Sequence, residues 1–460
     1  MSSQHHAAIG DRAAASSGGT HPARQGTGPA VVTASGTVTA YADTAARSGR
    51  LSLYDLQRPE VLADPWPWYR SLLAADGPYW DPTVRSWLVS RHADVSRLLT
   101  DRRLSVAMDH QRVARVAPAA TRHWYPLLDA HVSFVDPPRH TGLRSVLAVP
   151  FKPAVVSALE LDGYVADVVE AALDRVAGAG RMDVVTDLAY RIPLQVMRHI
   201  LGLDGVDLPT LRRWSNAWGE VVAAPAHLPT GDTGQLVADV NDLIGFLRET
   251  VAEHRASPRD TVTGLLVRGA ADGLLTEDEV IAGLMMLVTA GHETTANLIS
   301  NIVAALIDDP QLANLLRRTP CRLPTAVNEL ARLYAPTQYT ARTASVDIEI
   351  GARPIPAGSS VVLMLAAANR DPAAFPNPGA VLLDRPAAPQ HVTFGHGPHF
   401  CFGAPLARLE ARLTLRRLLT RCGDLQPAGE RRWRPNANLR GLDTLPIRFR
   451  PYRTAEGGTR

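Results

Sequence analysis

One helical pattern runs unbroken from Thr276 to Asp309-Pro310, and it constrains this chain more than any other feature. It opens on Thr276-Glu277-Asp278-Glu279, the form of a capping box, with a glutamate three residues after the threonine. It closes where Pro310 would clash with the preceding turn. At about 1.5 Å per residue the segment spans roughly 45 to 50 Å, the width of a whole domain. Three-to-four spacing of apolar residues also predicts helices over 155–177, 187–203, 235–254, 323–334 and 404–421. Strand-like alternation is sparse, near 79–90, 346–350, 361–365 and 445–449. The fold class expected is mainly α with small β-sheets. No internal repeat or later linker interrupts the chain, so residues 51–460 are read as one domain. Residues 1–50 are rich in Ala, Gly, Ser and Thr without the apolar core of a secretion signal, and are read as a disordered tail.

The formal charge of +3 over 460 residues, with no dense Lys/Arg run, argues against nucleic acid or an anionic membrane as partner. No stretch approaches the roughly 18 apolar residues of a membrane span; the longest candidate, residues 280–291, runs into His292-Glu293-Thr294-Thr295. The three cysteines, Cys321, Cys401 and Cys422, are odd in number and widely spaced, which fits a reducing cytoplasm and no disulfide framework. Small-molecule chemistry by a cytoplasmic monomer is the expectation.

Chemistry concentrates in two places. The first is FGHGPHFCFG, residues 394–403, reached through a long proline-dotted stretch from Ala366 that has neither helical nor strand period. Its lone thiol admits three readings. Cys401 could be a small buried hydrophobe, the commonest fate of a free cysteine. With His396 and His399 it could begin a zinc site, although no further Cys/His pair stands nearby to complete four ligands. Or it could be a haem ligand, for which one thiolate suffices; Gly395, Gly397 and Gly403 would then let the backbone lie against a flat macrocycle while amides face the sulfur. The second is Ala290 to Thr295, AGHETT, inside the long helix. A metalloprotease helix would need His-Glu-x-x-His, but the fifth position is Ala296. A threonine bonded back to the carbonyl one turn earlier is the bland alternative.

Phe394-Gly395-x-Gly397-x-His399-x-Cys401-x-Gly403-x-x-Leu406-Ala407-Arg408 resembles the haem-binding signature of the cytochrome P-450 family in its bacterial soluble form. Further family motifs follow in order and spacing from about residue 60 to the end. The resemblance implies that family's triangular, helix-rich fold around haem b, with Cys401 as axial ligand of the iron and Phe394, Gly395, Gly403, Ala290 and Gly291 against the cofactor. AGHETT is similar to the oxygen-binding helix, where a glycine leaves room above the iron. Glu293 is then the acid and Thr294 the alcohol that relay protons to dioxygen, as heterolytic O–O cleavage requires. His140, Arg144, Arg342 and His399 resemble the propionate contacts, cationic or hydrogen-bonding groups that buried carboxylates need. Glu329 and Arg332 match the family's buried Glu-x-x-Arg pair, locked by Arg385. Before Arg385 the chain departs from the pattern, with Ala380-Val381 where Arg-Phe is common.

The activity implied is a monooxygenase that takes two electrons from NAD(P)H through ferredoxin reductase and ferredoxin, without an attached reductase, and hydroxylates or epoxidises a small organic substrate, as in natural-product biosynthesis. Oxidative coupling on the same scaffold, or a non-catalytic haem-fold protein, are the rival readings. Family pocket segments fall near 105–135 and 215–235, at Thr337 to Thr340 and around Asn438-Leu439, with Thr337 and Leu439 the named pocket residues. On the helix after Cys401, Arg408, Arg412 and Arg416 recur every fourth residue as a basic ridge, of which Arg408 is expected to pack near the haem and Arg412 and Arg416 to meet an acidic ferredoxin.

Overall fold

The computed structural model describes residues 50–107, 119–152, 160–223, 233–385 and 389–452. The tail expected over 1–50 lies outside the described residues apart from Arg50, as do parts of both variable pocket segments. Eight helices carry the site: α1 (Arg139–Leu147), α2 (Leu161–Ala177), α3 (Arg191–Leu201), α4 (Leu208–Ala223), α5 (Gly234–Ala256), α6 (Glu277–Asp308), α7 (Leu323–Leu333) and α8 (Ala404–Arg421). The long helix is α6. The Thr276 hydroxyl accepts from the Glu279 amide at 3.2 Å, and the Glu279 carboxylate accepts from the Thr276 amide at 2.8 Å, so the capping box forms with both its bonds. At the far end Asp309 takes up a non-helical conformation ahead of Pro310 and caps the next helix through the Leu312 amide.

Helices α3, α4, α5 and α8 and the π-helical turn Val184–Ala189 surround α6. The main core is built from their facing apolar side chains, among them Val185, Ile192, Leu243, Leu284, Ile299 and Leu415. The expected helix over 187–203 is thus split into that π turn and α3, with Tyr190 at the junction. Helix α4 was not foreseen; its stripe is interrupted by Arg212, Arg213, Ser215 and Asn216, which blur the apolar period.

Among the described residues the strands form four small sheets. In the largest, β1 (Tyr79–Asp81), β2 (Ser86–Val89), β8 (Ser360–Leu363), β5 (Thr340–Ala344) and β3 (Leu104–Ser105) lie in that order, with β2 and β8 parallel and the other neighbours antiparallel. A second core, with Leu53, Trp68, Tyr69 and Leu72 against Val362 and Met364, packs beneath it. Strands β4 (Arg181–Asp183), β12 (Pro446–Pro451) and β9 (Cys422–Pro427) pair antiparallel, β6 (Ile348–Ile350) pairs with β7 (Arg353–Ile355), and β10 (Arg432–Trp433) with β11 (Leu442–Thr444).

Helix α8 buries a carboxyl group. Neither oxygen of Glu410 has a hydrogen-bond partner in the protein, and the Thr414 hydroxyl one turn on is likewise unpartnered. Burial pushes the Glu410 carboxyl well above its ordinary 4.5. The folded chain therefore keeps this proton above that pH while the unfolded chain releases it. Unfolding free energy then falls as pH rises from the unfolded-state value toward the folded one. Glu410→Gln, which cannot ionise, is expected to match the wild type near pH 4. It should gain on it at higher pH by up to about 1.4 kcal/mol per unit. Urea denaturation of both proteins at pH 4 and pH 8 checks this; a constant difference between them would mean that Glu410 ionises in place.

Candidate active site

The middle of α6 breaks its own pattern of burial. Residues 280–288 and 295–307 are buried throughout, but Ala290 is exposed and Thr289, Gly291 and Thr294 are half-buried. An alanine open on a helix sheathed on both sides of it marks an interior cleft. Thr294 donates its hydroxyl to the Ala290 carbonyl at 2.9 Å, the back-bond one turn away. Gly291 is half-buried beside the cleft and also has a packing role. A Cβ there would lie 2.6 Å from Sδ of Met197 on α3, so this glycine lets two helices pack closely, and Ala290 is the small residue facing the open space.

Cys401 is also accessible, yet protein encloses it so closely that desolvation raises its thiol pKa. It therefore faces an interior space and not bulk water. Opposing that shift, the amides of Gly403 and Ala404 bond toward Sγ, and Arg144 and Arg408 add positive charge. The loop is shaped for this: Gly395 and Gly397 sit at φ +73° and +71°, where an L side chain is strained, and the Cys401 amide returns to the Phe394 carbonyl at 2.8 Å. A Cβ on Gly403 would come within 3.8 Å of the sulfur. Arg408 packs its guanidinium 4.3 Å from the centre of the Phe394 ring. Among the described residues no group of three His, Cys, Asp or Glu side chains is arranged to hold a metal ion, which removes the zinc alternative.

Helix α1 and strand β5 bring basic groups to the same region. Arg144 donates to the Phe400 carbonyl at 2.6 Å, and the His140 and His399 rings lie 4.0 Å apart. Nε2 of His140 is buried with no partner in the protein, as a group awaiting an acceptor would be. Burial lowers His140, and burial followed by the neighbouring positive groups takes His399 down to about 3, so both rings are neutral N–H donors. Arg342 is buried and, among the described residues, is bonded only to the Thr340 hydroxyl and the Ala341 carbonyl, with no carboxylate ion pair; burial lowers it to about 10, which leaves it cationic. Two cations and two neutral donors fit a flat dianion, which is what the propionates of haem present.

The Glu293 carboxylate is engaged in contacts that the sequence did not announce. Its Oε1 accepts from Nη1 of Arg434 on a segment 141 residues away, whose Nη2 donates to the Tyr190 hydroxyl and whose Nε donates to Asp443 at 3.1 Å. Burial raises the Glu293 carboxyl, with Arg434 and Arg212 opposing. Glu329 accepts from Arg332 at 2.7 and 2.9 Å and from Arg385 at 2.8 and 3.1 Å, so the three-residue lock forms despite the changed segment before Arg385. Thr337 and Leu439 meet in an isolated antiparallel bridge, which brings two of the expected pocket segments together. Of the basic ridge on α8, Arg412 pairs with Asp162 of α2 at 3.0 Å while Arg416 stays exposed, and beside the ridge Arg417 and Arg421 pair with Glu170 and Asp174 of α2.

The family profile for cytochrome P450 matches residues 323–445. The biotin biosynthesis cytochrome P450 of Bacillus subtilis is 32% identical over 85% of this chain and 97% of its own. Cytochrome P450 monooxygenase PikC of Streptomyces venezuelae is 35% identical over 86% and 94%. Among solved structures, the bacillaene polyketide synthase cytochrome P450 PksS of Bacillus subtilis superposes with a TM-score of 0.75 at 28% identity, covering 85% of this chain and 98% of that one. The chain belongs to the cytochrome P450 family. It is a monooxygenase of the bacterial type, and its cofactor is haem b. Among the described residues no helix is long and apolar enough to cross a membrane.

Proposed function

We propose that this protein takes two electrons from NAD(P)H through ferredoxin reductase and ferredoxin in the cytoplasm and uses dioxygen to hydroxylate or epoxidise a small organic substrate in natural-product biosynthesis. The observation that carries this reading is the cleft in α6, where an open alanine and a threonine hydroxyl stand beside a buried acid. Residues 51–460 form the catalytic domain. The kinship with PksS, a polyketide-associated P450 by its name, supports the substrate class.

Haem supplies the iron at which dioxygen is bound and reduced; the chain supplies the rest. Cys401 Sγ would hold the haem iron, and the Gly403 and Ala404 amides with Arg144 and Arg408 would stabilise its negative charge. Arg144 and Arg342 would neutralise the propionates, and His140 and His399 would donate to them. Phe394, Gly395 and Gly403 would let the backbone lie close to the haem, and Ala290 would leave room beside it, with Gly291 holding α6 against α3. Thr337 and Leu439 line the substrate side. Thr294 holds a hydroxyl in the cleft, and Glu293 stores the proton that reaches it.

Because Thr294 serves proton delivery and not binding, Thr294→Ala is expected to keep the substrate-induced spin shift while electrons leak to peroxide. General acid catalysis is worth about 100-fold or more, so the ratio of product formed to NAD(P)H consumed should collapse. A ligand found by spectral screening serves as substrate, and label from dioxygen in the product scores oxygen insertion. Unchanged coupling would overturn the acid–alcohol assignment, and a coupled, unlabelled product would indicate oxidative coupling instead.

A further inference from the structure

Helix α4 lies against α6 beside the cleft. Ser215 donates its hydroxyl to that of Thr289 at 3.2 Å, and a Cβ on Gly219 would stand 3.4 Å from Cγ2 of Thr289 and 3.9 Å from Oε2 of Glu293. Thr289 is the chain neighbour of Ala290, the open residue of the cleft. Arg212, Asn216, Gly219 and Glu220 recur along α4 at three-to-four spacing, so one face of the helix carries them all. Glu220 therefore shares the face on which Gly219 meets α6. Its side chain is accessible, yet partly desolvated and near enough to Glu293 for the two carboxylates to repel.

Among the described residues no cation pairs with Glu220. Burial, and after it the Glu293 carboxyl, raise the Glu220 carboxyl above its ordinary 4.5, and no positive group opposes them. Glu293 differs, because Arg434 and Arg212 offset its burial. Both of those guanidiniums are engaged elsewhere: Arg434 bonds Glu293 and the Tyr190 hydroxyl, and Arg212 lies 3.8 Å from the centre of the Tyr190 ring. One turn before Glu220, Oδ1 of Asn216 is buried with no hydrogen-bond partner. Buried acceptors ordinarily have a donor, and a desolvated acid in a cleft ordinarily has a task. What this end of α4 lacks is a positive group.

We propose that the Glu220 carboxylate, with the Asn216 carbonyl oxygen one turn away, is the subsite for a positively charged nitrogen of the substrate, so that this enzyme acts on an amine-bearing compound. The inference rests on the cleft being the substrate site of a monooxygenase and adds which compounds enter it. A bound ammonium would offset the desolvation of Glu220 and relieve its repulsion from Glu293. Glu293 adds little to the selection, since Arg434 already neutralises it. A neutral ligand of the same shape would leave Glu220 without a counter-charge, so the pocket discriminates by charge.

Decyl chains ended by trimethylammonium, hydroxyl or carboxylate test this, titrated into the haem-loaded protein by the spin shift and by calorimetry. A quaternary nitrogen has no lone pair, so its spin shift cannot come from ligation of the iron. The wild type is expected to bind the trimethylammonium chain about tenfold or more tighter than the alcohol, and the carboxylate most weakly. Glu220→Gln should lose about tenfold or more for the cation alone, and Glu220→Lys should reverse the preference toward the carboxylate. Glu293→Gln should keep the preference for the cation. Unchanged binding of the alcohol shows that each variant is folded. A wild type that binds the cation no tighter than the alcohol, an equal affinity for the cation in Glu220→Gln, or a preference lost only in Glu293→Gln would overturn the subsite. Label from dioxygen in the product separates the two readings. A charge preference at Glu220 with no labelled product would sink the monooxygenase function and keep the subsite; labelled product with no charge preference would sink the subsite alone.

Discussion

Cys401→Ser is expected to abolish the strongly red-shifted Soret band of the reduced carbon monoxide complex, because only thiolate donation to the iron produces it. The effect should be all or none. Serine fits the space of the thiol, and the Gly403 and Ala404 amides that bond toward Sγ would still find an acceptor, so the loop has no steric reason to change. What is lost is a donor atom that can be an anion at neutral pH. The other two thiols cannot replace it. Cys321 is exposed on the turn Pro320–Arg322, and Cys422 is buried at the start of β9, where burial pushes its thiol up to about 12. Cys321→Ala and Cys422→Ala should both keep the band. Its survival in Cys401→Ser would show that another group ligates the iron.

The parts of this site that were legible in the sequence are those whose cause is local. The capping box of α6 lies within four residues and its stop within two, so both ends could be read directly. Glu329 and Arg332 are one turn apart on one helix, and the glycines of the cysteine loop announce a backbone that bends tightly. Where the cause is a residue elsewhere in the chain, the sequence is silent. Gly291 is small because Met197 of α3 presses on it, and nothing within AGHETT distinguishes that from room left for a ligand. Arg434 stands in the run Arg431-Arg432-Trp433-Arg434, which reads as an exposed basic surface until the fold sets it against Glu293. The pairing of Arg412 on α8 was hidden for the same reason: its partner Asp162 lies on α2, 250 residues earlier in the chain. The largest sheet was hidden too, since its parallel pair joins residues 86–89 to 360–363.

Glu329→Ala is expected to be the most destabilising single change outside the haem ligand, and to cost the protein its hold on the cofactor. Among the described residues the Glu329 carboxylate is the one anion paired with these two arginines, which are themselves committed. Arg332 donates to the Asn369, Pro378 and Ala380 carbonyls at 2.7, 2.9 and 3.2 Å, and Arg385 donates to those of Pro376 and Ala380 at 2.6 and 3.0 Å. Through these bonds α7 fastens the irregular stretch that leads into the cysteine loop, where no helix or sheet ladder could do so. Burial alone would raise the Glu329 carboxyl, but the bonds from Arg332 and Arg385 outweigh it and the pKa is lowered. The group therefore adds stability that is present above the unfolded-state value of 4.5 and is lost as pH falls toward the folded-state one. Truncation leaves two guanidiniums unpaired, with Arg332 only 2% exposed. Breaking a buried pair in this way costs about 3–5 kcal/mol. Urea denaturation at pH 7 measures the loss, and the ratio of haem absorbance to protein measures retention. If Glu329→Ala cannot be purified folded, Arg385→Ala removes one of the two partners and should show a smaller loss in the same direction. A change below about 1 kcal/mol, the worth of an ordinary surface pair, with full haem content would mean that the carbonyl contacts of Arg332 hold the segment without the carboxylate.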